Sequence, residues 1–143
     1  MAAINNPGEP AMPGPMRQEI ERMAGMGENP TWVGSKWVKW SDVMPNLSRL
    51  LFSGKALLEG QLSAGEKERM GVKGKLGVKM VDGEGGVWEL DFMHWTSVDK
   101  YVFSNQWIQF VEEFGVVEGR LLQIWCFRDT DSQLCFAFNV VEA

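Results

Sequence analysis

Residues 88–138 read WELDFMHWTSVDKYVFSNQWIQFVEEFGVVEGRLLQIWCFRDTDSQLCFAF, and this stretch decides the fold of the chain. Trp88, Leu90 and Phe92 occupy alternate positions, which is the two-residue period of a strand with one buried face. A polar loop follows over 94–100, and a short aromatic and β-branched strand follows over 101–103. We therefore expect strand, loop, strand, helix, strand, turn and strand, which is an antiparallel sheet carrying one short helix.

An apolar stripe predicts the helix of this stretch. The stripe has the i, i+3, i+4, i+7 spacing of one helical face and consists of Trp107, Phe110, Val111 and Phe114. Ser104 or Asn105 is expected to cap the start of the helix, because both residue types accept hydrogen bonds from free backbone N–H groups. Gly115 is expected to end it.

A hairpin of two strands, 121–127 and 134–141, is predicted around the polar turn 128–132. Cys126 and Cys135 lie on its two strands, where they could approach each other. The chain shows no apolar run long enough to span a membrane and no signal-peptide pattern, so we expect an intracellular protein and no membrane partner. Both cysteines are then expected to be reduced core residues, with a disulfide as the alternative.

The beginning of the chain predicts an arm and one helix before the main domain. Residues 1–15 are expected to be disordered, because they lack periodicity and contain four prolines, Pro7, Pro10, Pro13 and Pro15. Residues 16–30 are predicted to be a short amphipathic helix and a linker, with the helix ending near Gly25. The remaining residues, 31–143, are predicted to form one domain, since 143 residues suffice for one good core.

The segment 31–87 predicts further strands and a second small helix. Strands are expected over 31–40, 50–52 and 72–81, the last with a lysine-rich outer face. Ser63 and Glu66 have the spacing of a capping box for a helix over 64–70, and 82–86 is a glycine-rich turn. With about seven short strands and two small internal helices, the sequence predicts an all-β barrel or sandwich rather than a βαβ fold.

The charge of the chain is unevenly distributed. The net charge is -5, but residues 1–31 carry -2, residues 32–80 carry +5 and residues 81–143 carry -8. Such a chain can present a basic face to phosphate whatever its total charge. The alternative is that opposite charges interleave in space and leave no basic face.

Catalysis and cofactor binding find little support in the sequence. His94 is the only histidine, and no metal-ligand, phosphate-loop, dinucleotide or nucleophile motif is present. The neighbouring Glu112 and Glu113 are expected on a solvated helix face rather than as a catalytic pair. We therefore expect a protein that is not an enzyme and needs no cofactor or metal.

Two polar loops are the better candidates for function. Residues 39–49 and 96–100 carry hydroxyls, amides and cations, and each is bracketed by aromatic strands. Lys and Arg bind phosphates, whereas Asn, Ser, Thr and Arg recognise base edges in a major groove. The alternative is that both loops are ordinary solvated turns.

Ordered motifs give the chain a family resemblance. KWVKWSDV over 36–43 and NLSRL over 46–50 resemble the K-x-L-x-x-S-D-V … N-x-x-R-L opening of the plant B3 DNA-binding domain. Residues 88–119 resemble its second half, with the patterns W-x-x-x-F, W-x-S-x-x-x-Y-V, W-x-x-F-V and E-G. The match covers roughly 32–141. Residues 12–30 resemble the small helix that leads into the B3 domain in one divergent plant subgroup. This subgroup, the REM-like B3 proteins, was long labelled a domain of unknown function.

The resemblance implies an all-β fold, a seven-stranded open β-barrel with two short α-helices and an N-terminal helix. It also implies a plant nuclear protein that binds double-stranded DNA and regulates transcription, with two arms that straddle a major groove. The first arm is 36–49 and the second is 96–100. The implied DNA-binding residues are Lys36, Lys39, Ser41, Asn46, Arg49, Thr96, Ser97, Asp99 and Lys100.

These nine residues have different implied roles. In the first arm, three cations (Lys36, Lys39 and Arg49) would meet phosphates or purine edges, and Ser41 and Asn46 would position the arm. The four residues of the second arm would make base contacts. The alternative is a degenerate B3 domain that acts as a protein-interaction module, with a protein partner or a homodimer contact through the N-terminal helix or the acidic C-terminal half. The test between them is whether the basic residues of 32–80 converge with the second arm.

Overall fold

The fold is that of a computed structural model, which describes residues 8–141 apart from the side chains of Lys55 and Ala56. The helices are α1 (Gly14–Ala24), α2 (Lys55–Glu59), α3 (Ala64–Lys73) and α4 (Trp107–Phe114), with a 3-10 turn at Trp40–Val43. The strands are β1 (Thr31–Trp37), β2 (Leu50–Phe52), β3 (Leu76–Val81), β4 (Val87–Trp95), β5 (Lys100–Asn105), β6 (Leu121–Arg128) and β7 (Leu134–Val141).

The seven strands form a nearly closed barrel in the order β1-β6-β7-β3-β4-β5-β2. Neighbouring strands are antiparallel except for β3 and β7, which are parallel. The predicted all-β fold, a seven-stranded open barrel with few helices, is confirmed. Its opening lies between β1 and β2, the two strands at the ends of the order, and this seam is where the candidate site forms.

Aromatic side chains fill the interior of the barrel. Phe92, Phe103 and Phe136 lie on three different strands, and their ring centroids are 4.9–5.1 Å apart. Such pairs each contribute about 0.5–1.5 kcal/mol beyond the area that they bury. Trp107 and Phe110 of α4 are fully buried against this interior, as the predicted apolar stripe requires. The aromatic stretch 88–138 thus supplies most of the core.

A second apolar cluster lies on the outside of the barrel beneath α1. Met16 and Ile20 are buried there against Trp125, Phe127 and other side chains of β6 and β7. Both faces of these two strands are therefore covered, which explains their nearly continuous apolar sequence. The predicted amphipathic helix is present, but it begins at Gly14, because Pro15 is tolerated in a first helical turn. Of the predicted disordered arm, residues 1–7 lie outside the described residues.

The boundary between the second helix and the third strand differs from the prediction. The capping box of Ser63 and Glu66 is present, with bonds of 2.9 and 3.1 Å. However, α3 continues to Lys73, and Gly74 at φ +79° ends it. The strand therefore begins only at Leu76, and the predicted lysine-rich outer face was wrong for Lys73 and Lys75, which both precede the strand. The additional helix α2 forms in the segment where the sequence shows no clear pattern.

The start of α4 also differs. Neither Ser104 nor Asn105 caps the helix, because both belong to β5, where Asn105 pairs with Leu90. The helix begins after Gln106, whose side chain instead accepts a hydrogen bond of 2.8 Å from the backbone N–H of Glu89. Gly115 ends the helix in the left-handed conformation at φ +60°, as predicted.

The two cysteines face different cores. Cys126 packs in the interior of the barrel and Cys135 in the cluster beneath α1, so neighbouring strands direct them to opposite sides of the sheet. Both are free and buried. Burial raises the pKa of the Cys126 thiol to about 12 and that of Cys135 to about 11. Both thiols are therefore protonated and unreactive near neutral pH.

Candidate nucleic-acid interface

The unpaired edges β1 and β2 border an open groove of about 560 Å³. The groove brings together residues that are far apart in the sequence. From the first arm come Lys36, Lys39 and Ser41, and from the second arm comes Lys100. The seam of the barrel is therefore the place where the two predicted arms meet.

A buried carboxylate organises the first arm. Asp42 is fully buried, and its oxygens lie 2.9 and 3.0 Å from the Lys36 ammonium and 3.7 Å from the Arg49 guanidinium. It also accepts backbone N–H bonds from Lys39 at 2.8 Å and from Leu51 at 3.2 Å. We call these five residues the Asp42 cluster. Two cations and two amides satisfy the charge, as a buried carboxylate requires.

The Asp42 cluster also joins the two edges of the barrel. The ammonium of Lys36 on β1 donates to the carbonyl of Leu51 on β2, and the Leu51 N–H donates to Asp42. These bonds link the two strands across a seam that has no ladder of backbone bonds. Burial lowers the pKa of Lys36, and the neighbouring Asp42 opposes this effect. The cluster therefore bridges the opening of the barrel and also holds the first arm in place.

Two further bonds fix the first arm from behind. The indole N–H of Trp107, which is fully buried on α4, donates to the Asp42 carbonyl at 2.7 Å. Arg49 donates to the carbonyl of Ser41 at 3.0 Å. The chain on both sides of the 3-10 turn is thus tied to the body of the protein.

Other side chains of the first arm are exposed. Lys39 and Asn46 face solvent, and so do two large aromatic residues, Trp37 and Trp40, at 66% and 58% exposure. An indole normally becomes buried in a fold or in a complex. The outer surface of this arm therefore combines a cation, an amide and two apolar rings.

The second arm is a short turn. Since β4 ends at Trp95 and β5 begins at Lys100, only four residues connect them, and Asp99 takes a positive φ of 52°. Thr96, Ser97 and Val98 are exposed at its tip. Side-chain contacts lie at the base of the turn, where β4 ends and β5 begins.

Two contacts hold the base of the second arm. Asp99 lies 2.9 Å from Nε2 of His94, whose ring packs at 5.0 Å from that of Tyr101. The ammonium of Lys100 donates to the hydroxyl of Ser53 at the end of β2. His94 thus helps to hold the base of the turn.

The predicted site residues fall into distinct groups. Three of the nine are held internally, since the side chains of Lys36 and Arg49 bind Asp42 and the Ser41 carbonyl accepts from Arg49. Lys39 joins the Asp42 cluster only through its backbone N–H. The other six are at the outer surface or the rim of the groove, namely Lys39, Asn46, Thr96, Ser97, Asp99 and Lys100. Sequence reasoning gave Asp42 and Trp107 no role in the candidate site. Both residues belong to the quoted motifs, and the motif position is the signal that could have identified them.

The basic residues of 32–80 converge only in part. Lys36 and Lys39 line the groove with Lys100. Five others lie on α3, on β3 or between them, namely Lys67, Arg69, Lys73, Lys75 and Lys79. Of the described basic residues of 32–80, only Lys36 and Lys39 therefore line the groove together with a cation of the second arm.

An ion pair outside the groove holds α3 to the last hairpin. Arg128 contacts both carboxylate oxygens of Glu66, at 2.5 and 2.7 Å, and donates to the Gln61 carbonyl at 2.6 Å. Burial alone would raise the pKa of Glu66, but the bonds from Arg128 and Ser63 together lower it. This is the geometry of a structural pair rather than of a catalytic carboxylate.

Within residues 8–141, no group of three or more His, Cys, Asp or Glu side chains is arranged to hold a metal ion. None of the described helices has the length and apolar character needed to cross a membrane.

Comparisons with known proteins agree with this geometry. A family model described as B3 domain-containing protein At2g31720-like matches residues 9–142. Among curated proteins of Arabidopsis thaliana, the B3 domain-containing protein At1g05920 is 27% identical over 92% of this chain and 46% of its own length. The putative B3 domain-containing protein At4g03170 is 30% identical over 71% of this chain and 41% of its own length. The chain spans less than half the length of these relatives.

Two solved structures share the fold. The Arabidopsis FUS3–DNA complex matches with a TM-score of 0.57 and 25% identity, over 78% of this chain and 98% of that one. The Arabidopsis thaliana transcription factor LEC2–DNA complex matches with a TM-score of 0.54 and 23% identity, over 80% of this chain and 95% of that one. The likeness to the second structure concerns the fold alone.

Proposed function

This chain belongs to the At2g31720-like family of B3 domain-containing proteins, and we propose from that membership that it binds double-stranded DNA and regulates transcription in the plant nucleus. The two arms would contact one major groove. The similar FUS3 structure is a complex with DNA, and the match covers nearly all of that chain.

One observation carries the proposal. Residues from the two arms, separated by more than fifty positions in the sequence, border the same open groove, where Lys39 and Lys100 both lie. Cations of this kind bind backbone phosphates and set the position of a protein on DNA. A net charge of -5 does not oppose this, because residues 32–80, which contain the first arm, carry +5.

The exposed polar residues of the arms form the proposed contact set. Lys39 and Lys100 would bind phosphates. Asn46, Thr96 and Ser97 would contact base edges, which amides and hydroxyls can recognise in a major groove. Asp99 would accept a hydrogen bond from the amino group of a cytosine. The three remaining site residues are engaged internally, Lys36 and Arg49 with Asp42 and the Ser41 carbonyl with Arg49.

The experiment is selection of duplexes from a randomised library, followed by affinity measurements at several salt concentrations. We expect an enriched motif. In Lys39→Ala, the slope of log affinity against log salt should become shallower by about 0.9 on every duplex, because one phosphate contact is lost. Lys79→Ala is the matched control, since Lys79 is an exposed lysine on β3 away from the groove. Absence of binding at low salt would overturn the proposal.

The alternative function, a protein-interaction module, gains less support. A docking role for the N-terminal helix would need its apolar face to be free, but Met16 and Ile20 of α1 are buried against the chain's own barrel. If no duplex is bound, the acidic C-terminal half becomes the surface to examine for protein partners.

A further inference from the structure

We infer that Asp42 is the positioning residue of the first arm, and that Lys36 and Arg49 are its counter-ions rather than contacts of DNA. This inference rests on the proposed function, because it concerns which residues of the first arm meet DNA. It departs from the family resemblance, which implies that Lys36, Lys39 and Arg49 all meet phosphates or purine edges.

Lys36 and Arg49 are poorly accessible from solvent. The side chains of Lys36 and Arg49 are only 14% and 13% exposed, and that of Asp42 is 1% exposed. Lys36 is held by the Asp42 carboxylate and by the Leu51 carbonyl at the same time. A DNA phosphate approaching from solvent could reach these cations only after the groove had opened.

The charge of the buried Asp42 carboxylate also holds these two cations in place. If Lys36 or Arg49 turned outward to a phosphate, the buried Asp42 carboxylate would lose a partner in a region of low dielectric. Leaving a charge buried and uncompensated is strongly unfavourable. DNA offers in exchange only a screened contact at the surface. The two cations therefore stay with Asp42 when DNA binds.

The Asp42 cluster fixes the backbone of the first arm around Trp40. Asp42 accepts the backbone N–H of Lys39, and Arg49 donates to the carbonyl of Ser41, so the backbone is held on both sides of Trp40. The exposed side chains of Lys39 and Trp40 project from this fixed segment. Their direction relative to the second arm is set by the cluster, and correct direction is what discrimination between base sequences needs.

The test compares three variants with wild type on the selected duplex and on an unrelated duplex. Lys36→Met keeps the length of the side chain and removes its charge. Arg49→Lys keeps the charge and removes the guanidinium geometry that reaches Ser41. For both, we expect an unchanged salt slope and at least about a tenfold loss of affinity for the selected duplex alone, the size of one good base contact. Lys39→Met should instead lose about 0.9 of the slope on both duplexes.

Three results of these binding measurements would overturn the inference. A slope reduced by about 0.9 in Lys36→Met would show that Lys36 binds a phosphate. Equal loss of affinity on both duplexes, with an unchanged slope, would show a purely structural role. Unchanged affinity of both variants for the selected duplex would show that the cluster does not position the arm.

Amide hydrogen exchange separates this inference from the proposed function. In the free protein, Lys36→Met should exchange faster than wild type over residues 39–51, with no change over the second arm. If wild type binds no duplex, the proposed function fails, whereas the exchange result still decides whether the cluster orders the arm. Equal exchange in the two proteins would overturn the inference on its own.

Discussion

The two arms that border the groove are held in different ways. The first arm is tied from within by a fully buried carboxylate, Asp42, and by a buried indole, Trp107. The second arm is a four-residue turn with an exposed tip, and its contacts lie at its base, where His94 meets Asp99. The first arm is anchored in the core of the protein, whereas the second arm is an exposed turn that connects two strands of a hairpin.

This difference shows that residues of the same type in one motif can have opposite uses. Lys36 and Lys39 are three positions apart, yet the first is the counter-ion of a buried carboxylate and the second faces solvent. A count of basic residues overstates the number of cations available to DNA. What decides the matter is whether each cation already has a buried partner.

The largest expected contrast comes from removing one carboxylate in each arm. Asp42→Ala should lower the free energy of unfolding by about 3–5 kcal/mol, because two buried cations lose their partner. Asp99→Ala should cost less than about 1 kcal/mol, because Asp99 is about half exposed. Urea denaturation of both variants measures the contrast. Similar losses for both would remove the distinction between the arms.

The next contrast concerns the indole that ties the first arm to α4. Trp107→Phe keeps a buried ring but removes the N–H that binds the Asp42 carbonyl, which leaves a buried acceptor unpaired. We expect a loss of about 1–3 kcal/mol. Trp95→Phe at the end of β4, next to the second arm, is the control, and because Trp95 is 40% exposed it should change stability by no more than about 0.5 kcal/mol. A larger change in the control than in Trp107→Phe would contradict the assignment.

A third comparison uses an ion pair that lies outside both arms. The pKa of Glu66 is lowered in the folded protein, so its pairing stabilises the fold above the ordinary glutamate pKa of about 4.3. This stability is lost as the pH falls through the lowered value. Glu66→Gln should therefore be less stable than wild type at pH 7, and the gap should narrow on acidification. Thermal melts across that pH range would show a constant gap if Glu66 were not involved.

The smallest effect is expected in the second arm itself. His94→Gln should change the free energy of unfolding by less than about 1 kcal/mol, since the His94–Asp99 pair is partly solvated. Hydrogen exchange should become faster over residues 96–100 while the first arm stays protected. Faster exchange in the first arm would mean that the two arms are coupled, which their separate anchoring does not predict.

Local patterns were sufficient to predict most of the fold. Alternation gave the strand around Trp88, and aromatic and β-branched composition gave the strand around Tyr101. The helical stripe gave α4, and Gly115 gave its end. Where local signals compete, the prediction was wrong. Ser104 and Asn105 can cap a helix, but the pairing of β5 with β4 holds them in the sheet. Tertiary pairing outweighs a capping preference of about 1 kcal/mol.

The site could be predicted only in part. The family motif located both arms, because it fixes which loops border the seam. It could not show that Asp42 is buried, since an Asp in a short loop is equally typical of a solvated turn. One bond that ties that residue to the core comes from Trp107, which is 65 positions away in the sequence. The partners of Lys36 and Arg49 follow from that burial and have no signature of their own.

The parallel pairing of β7 with β3 has a consequence for synthesis of the protein. Residues 134–141 form a strand in the middle of the sheet, between β6 and β3, so a nascent chain that lacks them has two unconnected halves. Each half then leaves an apolar strand edge open, and such edges promote aggregation. The barrel can close only after this segment has left the ribosome. Closure then depends on pairings that are distant in sequence, a topology that folds in milliseconds to seconds rather than microseconds.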